Sequence, residues 1–280
     1  EAHFRGPGSE LTLEGGVDAR GRLDVSVDGR LDLATVAQLS SEVSASAGEM
    51  RFHVDLGAFA SDPTVSGEAV VARGMFQLGE IPAPVDELRG RIRFNKRRAS
   101  FEDFTGRLGG GTFELAGAAR LRDGRLWRYE FDARVQNATM TPEEGIEVGL
   151  DADARLAWRD GDRLPALTGR VSLARVQYRR PVQLSPTLGE LYRPQRAEVE
   201  RYDPDDDNLA IDLRIVSESD ARIQNNLMDV RVGIDDSEQP FRIVGTDQRW
   251  GVVGRLNIPR GTVRFRNTDL EVTEGEIRFN

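Results

Sequence analysis

Two histidines, His3 and His53, are the only imidazoles in 280 residues, and cysteine is absent. That inventory removes a thiol nucleophile, a disulfide frame and a cysteine zinc site, and it argues against a Ser–His–Asp relay or a histidine-rich metal centre. Gly109-Gly110-Gly111 has the glycine density of a phosphate cradle. No Lys-Ser/Thr pair or helix start follows it, so it reads as a turn. Asp203-Pro204-Asp205-Asp206-Asp207 offers carboxylates to calcium. It lacks the glycine and distal glutamate of an EF-hand, and reads as a solvated, exposed loop. Asp235-Asp236 reads as a turn. Asn137-Ala138-Thr139 fits a glycosylation acceptor, a short pattern that carries little weight by itself. Trp127, Trp158 and Trp250 read as core or rim residues. The expectation is therefore no catalytic residue, no metal ligand, no cofactor and no enzymatic activity.

Charge narrows the partners. The net charge is −9 and the pI about 5.0, a balance that argues against nucleic acid or anionic headgroups as charge-driven partners. The basic runs Lys96-Arg97-Arg98 and Arg179-Arg180 are short. They read as solvated strand ends or turns, with lipid headgroup contact as the alternative. At 39% hydrophobic and 30% charged, the chain can build a core while keeping much of its surface wet. Absence of cysteine suits an extracytoplasmic bacterial protein. No apolar run approaches the ~20 residues of a membrane-spanning helix. Neither a signal peptide nor an initiating Met is present, and strand-like patterning at both ends reads as an excerpt of a longer protein.

The elements that would position any site are strands. From Ile146 to Trp158 every second residue is apolar, with Ile146, Val148, Leu150, Ala152, Ala154, Leu156 and Trp158 on one face and Glu147, Asp151, Asp153 and Arg155 on the other. The same rhythm predicts strands at Glu10–Glu14, Arg22–Val27, Glu49–Leu56, Val65–Ala72, Leu88–Phe94, Ser100–Arg107, Thr112–Leu121, Trp127–Val135 and Leu167–Val176. It continues through Leu209–Val216, Ala221–Asn225, Met228–Ile234, Phe241–Gly245, Trp250–Ile258, Thr262–Phe265, Asp269–Val272 and Glu276–Phe279. Turn chemistry separates them at Asp28-Gly29, Asp123-Gly124, Asp160-Gly161, Asn267-Thr268 and Glu274-Gly275. Helix is confined to Leu33–Leu39, behind the N-cap candidate Asp32, and to a candidate at Ser185–Glu200. The stretch 179–207 is the best internal boundary. So many one-sided strands suit a sandwich, a membrane barrel or an open curled sheet. Uneven strand lengths and only 7% aromatics weaken the barrel.

The C-terminal residues resemble a known family. Phe241-Arg-Ile-Val-Gly leads to Gly254-Arg-Leu, then Gly261-Thr262 with Phe265, then Leu270 and Val272, then Gly275, Ile277 and Phe279. This order is similar to the conserved core of the TamB family. Ala221-Arg-Ile-Gln-Asn-Asn-Leu-Met-Asp-Val-Arg-Val resembles the family's preceding strand pair. Leu88-Arg-Gly-Arg-Ile-Arg-Phe, followed by Thr105-Gly-Arg-Leu-Gly-Gly-Gly-Thr-Phe-Glu-Leu-Ala-Gly, resembles a unit shared with the wider AsmA-like group. The resemblance implies an all-β fold: an elongated, curled, mainly antiparallel sheet forming an open groove (a β-taco), with an apolar concave face and one or two short helices. It implies a groove segment over 1–178, a loop or short helical insertion over 179–207, and a continuing groove segment over 208–280. It also implies a periplasmic segment of an inner-membrane-anchored protein of a diderm bacterium. That protein would conduct phospholipid between the two membranes and support outer-membrane assembly. Its TamA or related barrel partner would dock through a segment missing from this chain. The alternatives are an assembly factor for outer-membrane proteins acting by β-augmentation and an inert structural β-solenoid.

A trough needs no catalysis. Exposing an acyl chain of ~16 carbons to water costs on the order of 13 kcal/mol, at about 0.8 kcal/mol per methylene. The expected lining is the alternating apolar set Phe52, Val54, Ile92, Phe94, Phe113, Leu115, Tyr129, Phe131, Val135, Ile146, Val148, Leu150, Leu156 and Trp158. Leu209, Ile211, Leu213, Ile215, Val230, Val232, Val263, Phe265, Ile277 and Phe279 continue it. Roughly eighteen neighbouring strands would extend the sheet ~85 Å.

Overall fold

The computed structural model describes residues 1–39, 43–59, 62–79, 82–179, 203–217, 220–234, 240–265 and 268–279. The first eleven strands run down one sheet as an antiparallel meander: β1 Ala2–Gly6, β2 Ser9–Val17, β3 Leu23–Asp32, β4 Val43–Phe59, β5 Asp62–Leu78, β6 Val85–Lys96, β7 Arg98–Leu108, β8 Gly111–Arg122, β9 Arg125–Met140, β10 Ile146–Arg159 and β11 Ala166–Tyr178. The remaining strands are β12 Ala210–Ser217, β13 Ala221–Gln224, β14 Met228–Ile234, β15 Phe241–Thr246, β16 Trp250–Phe265, β17 Thr268–Val272 and β18 Gly275–Phe279. These seven share four rungs. β12 and β13 lie end to end along β11, β15 and β14 end to end along the next position, and β17 and β18 end to end along β16. The sheet therefore has fifteen rungs, and at ~4.8 Å per rung it spans ~67 Å, shorter than eighteen separate strands would give. Among the described residues no ladder joins β1 to β17 or β18, so both edges of the sheet are free.

One step is parallel. β12 pairs with β11 in the same direction, Ala166 opposite Ala210 through Leu173 opposite Ser217. Parallel neighbours need a long crossover, and the connection from 179 to 209 supplies it. Its end is pinned by carboxylates. Asp203 caps a 3-10 turn over Pro204–Asp206, accepting from the Asp205 N–H at 3.0 Å. Asp207 is buried and accepts from Thr246 Oγ1 at 2.7 Å, which corrects the expectation of a uniformly exposed loop. Asp247 accepts from the N–H groups of Asn208 and Leu209 at 2.9 and 3.0 Å. The candidate helix Ser185–Glu200 and the turn Asp235-Asp236 lie outside the described residues.

Most expected strands form with longer ends, and three departures have physical causes. Asp28-Gly29 is not a turn: it lies inside β3, with Gly29 opposite both Leu11 and Phe52. The Phe52 ring occupies the space a side chain on Gly29 would take, Cζ falling 2.7 Å from an added Cβ. Trp250–Ile258 and Thr262–Phe265 are one strand, β16. Pro259 is tolerated because it sits at a bulge, where β14 passes from Arg231 opposite Arg260 to Gly233 opposite Asn257. β1, with its weak alternation, has no counterpart among the expected strands. By contrast Asp123-Gly124 (φ +51° and +71°) and Gly109-Gly110 (φ +56° and +80°) make tight hairpin turns that need positive φ at both positions. The short helix also forms, a 3-10 turn Leu33–Thr35 running into α1 Val36–Leu39.

The exposed surface totals 19176 Å². A compact 31 kDa monomer would expose about 12,000 Å², so this sheet is not folded onto a second layer. The buried cluster lies along the sheet itself, in Val71, Val85, Leu88, Phe104, Leu108, Val135 and Ala138. Leu33, 3% exposed, joins it from the helical segment. Ser46 holds that segment across the strand ends: its Oγ donates to the Leu33 carbonyl at 2.7 Å and accepts from the Ala37 N–H at 3.0 Å.

Burial works to raise the Asp247 pKa, but the Asn208 and Leu209 N–H groups outweigh it and hold the carboxyl below its ordinary value. Its stabilising contribution is thus complete above the ordinary aspartate pKa and is lost as pH falls through the lower folded value. Asp247→Ala is expected to destabilise the crossover by about 1–2 kcal/mol at neutral pH, with the difference from wild type shrinking in acid. Chemical denaturation at pH 7 and pH 3 measures it.

Candidate functional site: an apolar trough

Ladder register decides which side chains share a face. Directly opposite residues point the same way, and one row can be followed across fourteen rungs. It runs Phe4, Leu11, Gly29, Phe52, Ala69, Ile92, Phe101, Gly117, Phe131, Leu156, Leu167, Ile211, Gly245, Trp250. Every member is apolar or glycine. Fourteen rungs extend this row over ~62 Å. Its interior members from Leu11 to Ile211 are half-buried or buried, while Gly245 is exposed and Phe4 and Trp250 at its ends are 57% and 62% exposed.

Parallel rows lie on either side. Val27, Val54, Gly67, Phe94, Ala99, Ala119, Tyr129 and Trp158 make the row nearer one strand end. Leu115, Ala133, Ala154, Gly169, Leu213 and Ile243 lie on the other side of the long row. Beyond them come Phe113, Val135, Ala152, Val171, Ile215 and Phe241. Leu150 and Val148 follow, opposite Ala138 and Met140, and Ile146 faces Tyr178. Near the far edge Val230 faces Ile223 and Gly261, Val232 faces Ala221, Val263 faces Met228 and Leu270, Ile277 faces Leu256, and Phe279 faces Gly254. Leu209 immediately precedes β12 in phase with Ile211. The register thus brings the expected lining onto one face; the Phe265 side chain lies outside the described residues.

Phe101 and Phe104 were missed by alternation. Asp103, at φ +55°, is an extra residue that pushes two apolar side chains three positions apart onto the same face. Similar bulges fall at Gly48 and Arg73 (φ +115° and +53°), Glu87 (φ +50°) and Asn137 (φ +55°). They lie within a few residues of one another along the strands. Bulges bend and twist a strand, and these all fall on one side of the long row.

Glycines shape the floor. Phe101 and Phe131, two rungs apart, meet edge to face over Gly117 with centroids 5.0 Å apart. Phe241 and Phe279 meet at 5.8 Å across Gly254. The Phe104 ring covers Gly90, within 2.4 Å of where a Cβ would stand. Rings that lie over glycine cover backbone with apolar surface while keeping the floor low. Tyr129 stacks on Trp158 at 5.9 Å, and burial raises the Tyr129 pKa.

The opposite face is ionic. Arg134–Asp153 (2.8 Å), Arg155–Asp132 (2.7 Å), Arg93–Glu102 (3.2 Å), Arg222–Asp229 (2.7 Å) and Arg264–Asp269 (3.0 Å) each bridge neighbouring strands. Exposed pairs stabilise weakly, about 0–1 kcal/mol each; their larger effect is to keep this face wet. His53 belongs here, its Nδ1 2.7 Å from Asp28 Oδ1. Among the described residues no group of three His, Asp or Glu side chains is placed to hold a metal ion, and no helix is long and apolar enough to cross a membrane.

The Asp28 contact raises the His53 pKa, with Asp55 and Glu68 adding to it. The associated stability is present below the free-histidine pKa of about 6.5 and fades as pH rises through the higher folded value. An NMR titration of the imidazole should place its midpoint above the ordinary value, and Asp28→Asn should lower it. Gly117→Ala is expected to cost about 1–3 kcal/mol, because its Cβ would meet the Glu130 carbonyl and the Phe131 ring, both at 2.4 Å. Gly16→Ala, with nothing within 4 Å, should be neutral, and thermal melts of the two variants check both.

No curated protein and no solved structure matches the chain. Residues 102–280, from β7 to the last strand, match the TamB C-terminal domain. That match covers well over half of the 280 residues. The chain belongs to the TamB family, the inner-membrane-anchored, periplasm-spanning component of the translocation and assembly module whose outer-membrane partner is TamA.

Proposed function

We propose that this segment conducts phospholipid across the periplasm, acyl chains against the apolar face and headgroups in water, without catalysis. The carrying observation is the uncharged row from Phe4 to Trp250, continuous over fourteen rungs, with no second sheet packed on it among the described residues. Its ~62 Å far exceeds the ~20 Å of one extended acyl chain, taking ~1.3 Å per carbon, so a lipid can move along it without meeting water. The ionic face opposite supplies no such path.

Assembly by β-augmentation is the second reading, favoured by the free edges. β1 is exposed at every residue, and β17–β18 present Leu270 and Ile277, 53% and 43% exposed. Photocrosslinkers separate the two. Probes at Leu150, Phe131 and Ile211 should capture lipid, and probes at Phe4 and Ile277 should capture client strands only if the second reading holds. Leu150→Asp should abolish lipid adducts along the row and block transport in cells while circular dichroism stays that of a folded sheet. Absence of lipid adducts from all three floor positions in the wild-type chain would overturn the conduit.

A further inference from the structure

Arginines oppose one another at several places on the wet face, as at Arg170, Arg214 and Arg242 and at Arg222, Arg231 and Arg260, where Arg242 and Arg222 also reach aspartates. At one end of the strands the line is longer, four arginines standing directly opposite one another: Arg98, Arg120, Arg128 and Arg159. Like charges at opposed sheet positions destabilise, and in a chain of net charge −9 acidic residues were not in short supply. Arg128 reaches Glu130 at 3.5 Å, and Arg97 pairs with Asp62. Lys96, Arg120 and Arg122 have no carboxylate partner among the described residues.

Two further observations converge on this end. A recess of about 460 Å³ is lined by Asn95, Lys96, Arg97, Arg98, Arg120, Leu121, Arg122 and Trp127. Trp127 has two guanidinium groups near its ring, Arg122 Cζ at 5.8 Å and Arg159 Cζ at 5.9 Å from the ring centre. A bulge at this position, where β8 passes from Arg120 opposite Arg128 to Leu121 opposite Leu126, displaces Trp127 from the ladder. An aromatic face attracts guanidinium groups, and a guanidinium fork matches a phosphoryl group in two-point contact.

The line lies on the wet face close to where β6, β8 and β10 end, at Lys96, Arg122 and Arg159. The apolar row Phe94, Ala99, Ala119, Tyr129 and Trp158 is one residue away in sequence and therefore on the other face, so the arginine line and the trough meet only around these strand ends. The other strand end is the one carrying the helical segment beside Leu33.

We propose that this arginine line and Trp127 form a binding site for the phosphodiester headgroup of a glycerophospholipid whose acyl chains lie on the Tyr129–Trp158 side of the trough. The site rests on the conduit reading for its acyl-chain half and on its own charge pattern for its headgroup half. A lipid would be held at this rim by charge and released along the floor, and headgroup exchange would weaken as salt rises.

The test uses the chain carrying Trp158→Phe and Trp250→Phe, so that Trp127 alone reports by fluorescence. It is titrated separately with short-chain phosphatidylglycerol below its micellar concentration, with the matching diacylglycerol, and with inorganic phosphate. Phosphatidylglycerol should shift the emission and bind at least about tenfold more tightly than either other probe. The pair Arg120→Gln and Arg122→Gln should remove that advantage while leaving the melting temperature unchanged or raised, as relief of like-charge repulsion requires. Equal affinity for phosphatidylglycerol and diacylglycerol, unaffected by the arginine variants, would overturn the headgroup site and leave the conduit standing. A shift with phosphate and none with phosphatidylglycerol would overturn a lipid headgroup as the occupant and count against the conduit. A lower melting temperature in the arginine variants with unchanged binding would show that the line is structural, and would overturn the proposal.

Discussion

The structure depends on the backbone ladder that keeps every rung in phase. A strand places successive side chains on opposite faces, so a slip of one residue would carry an entire apolar set into water. Over fourteen rungs no such slip accumulates: Phe4 at one end and Trp250 at the other are joined by an unbroken series of apolar or glycine partners. Where a strand carries an extra residue, as at Asp103, the bulge absorbs it and returns Phe104 to the apolar face. An apolar face of this length with no second sheet on it among the described residues has the character of a binding surface.

Shape follows from how that face is furnished. Rings folded over Gly90, Gly117 and Gly254 turn what would be protruding aromatics into a floor. Bulges on one side of that floor bend and twist the strands that carry them. The ionic ladder on the reverse contributes little energy rung by rung, but it makes the two faces chemically opposite and so fixes which one a lipid can use. The meander ends at the parallel step from β11 to β12, whose connection is held by buried Asp207 and by Asp247 beside the apolar pairs Leu167–Ile211 and Val171–Ile215.

Period-two alternation made most of the sheet legible in the amino-acid sequence, because a one-sided strand advertises its own face. The row from Ile146 to Trp158 is the clearest instance, and its partners in β9 and β11 are apolar at the same positions. What alternation could not show were the long-range and local exceptions. Asp28-Gly29 has turn chemistry, yet a ring from the next strand explains the glycine. Pro259 looks like a strand break, yet a bulge accommodates it. Phe101 and Phe104 fall out of phase across Asp103, and the end-to-end arrangement of β12 with β13 and of β17 with β18 depends on pairings that no local pattern encodes. The opposition of Arg98, Arg120, Arg128 and Arg159 is likewise a property of register, invisible while the residues are read along the chain.

The conduit is tested most directly by paramagnetic relaxation from a phospholipid carrying a nitroxide near the end of its acyl chain. If the apolar face holds the chain, resonances of side-chain methyls at Leu156, Leu167 and Ile211 broaden strongly, while those of Ala118, Ala157 and Val70 on the reverse do not. Broadening that is equal on both faces, or confined to the reverse, would contradict it.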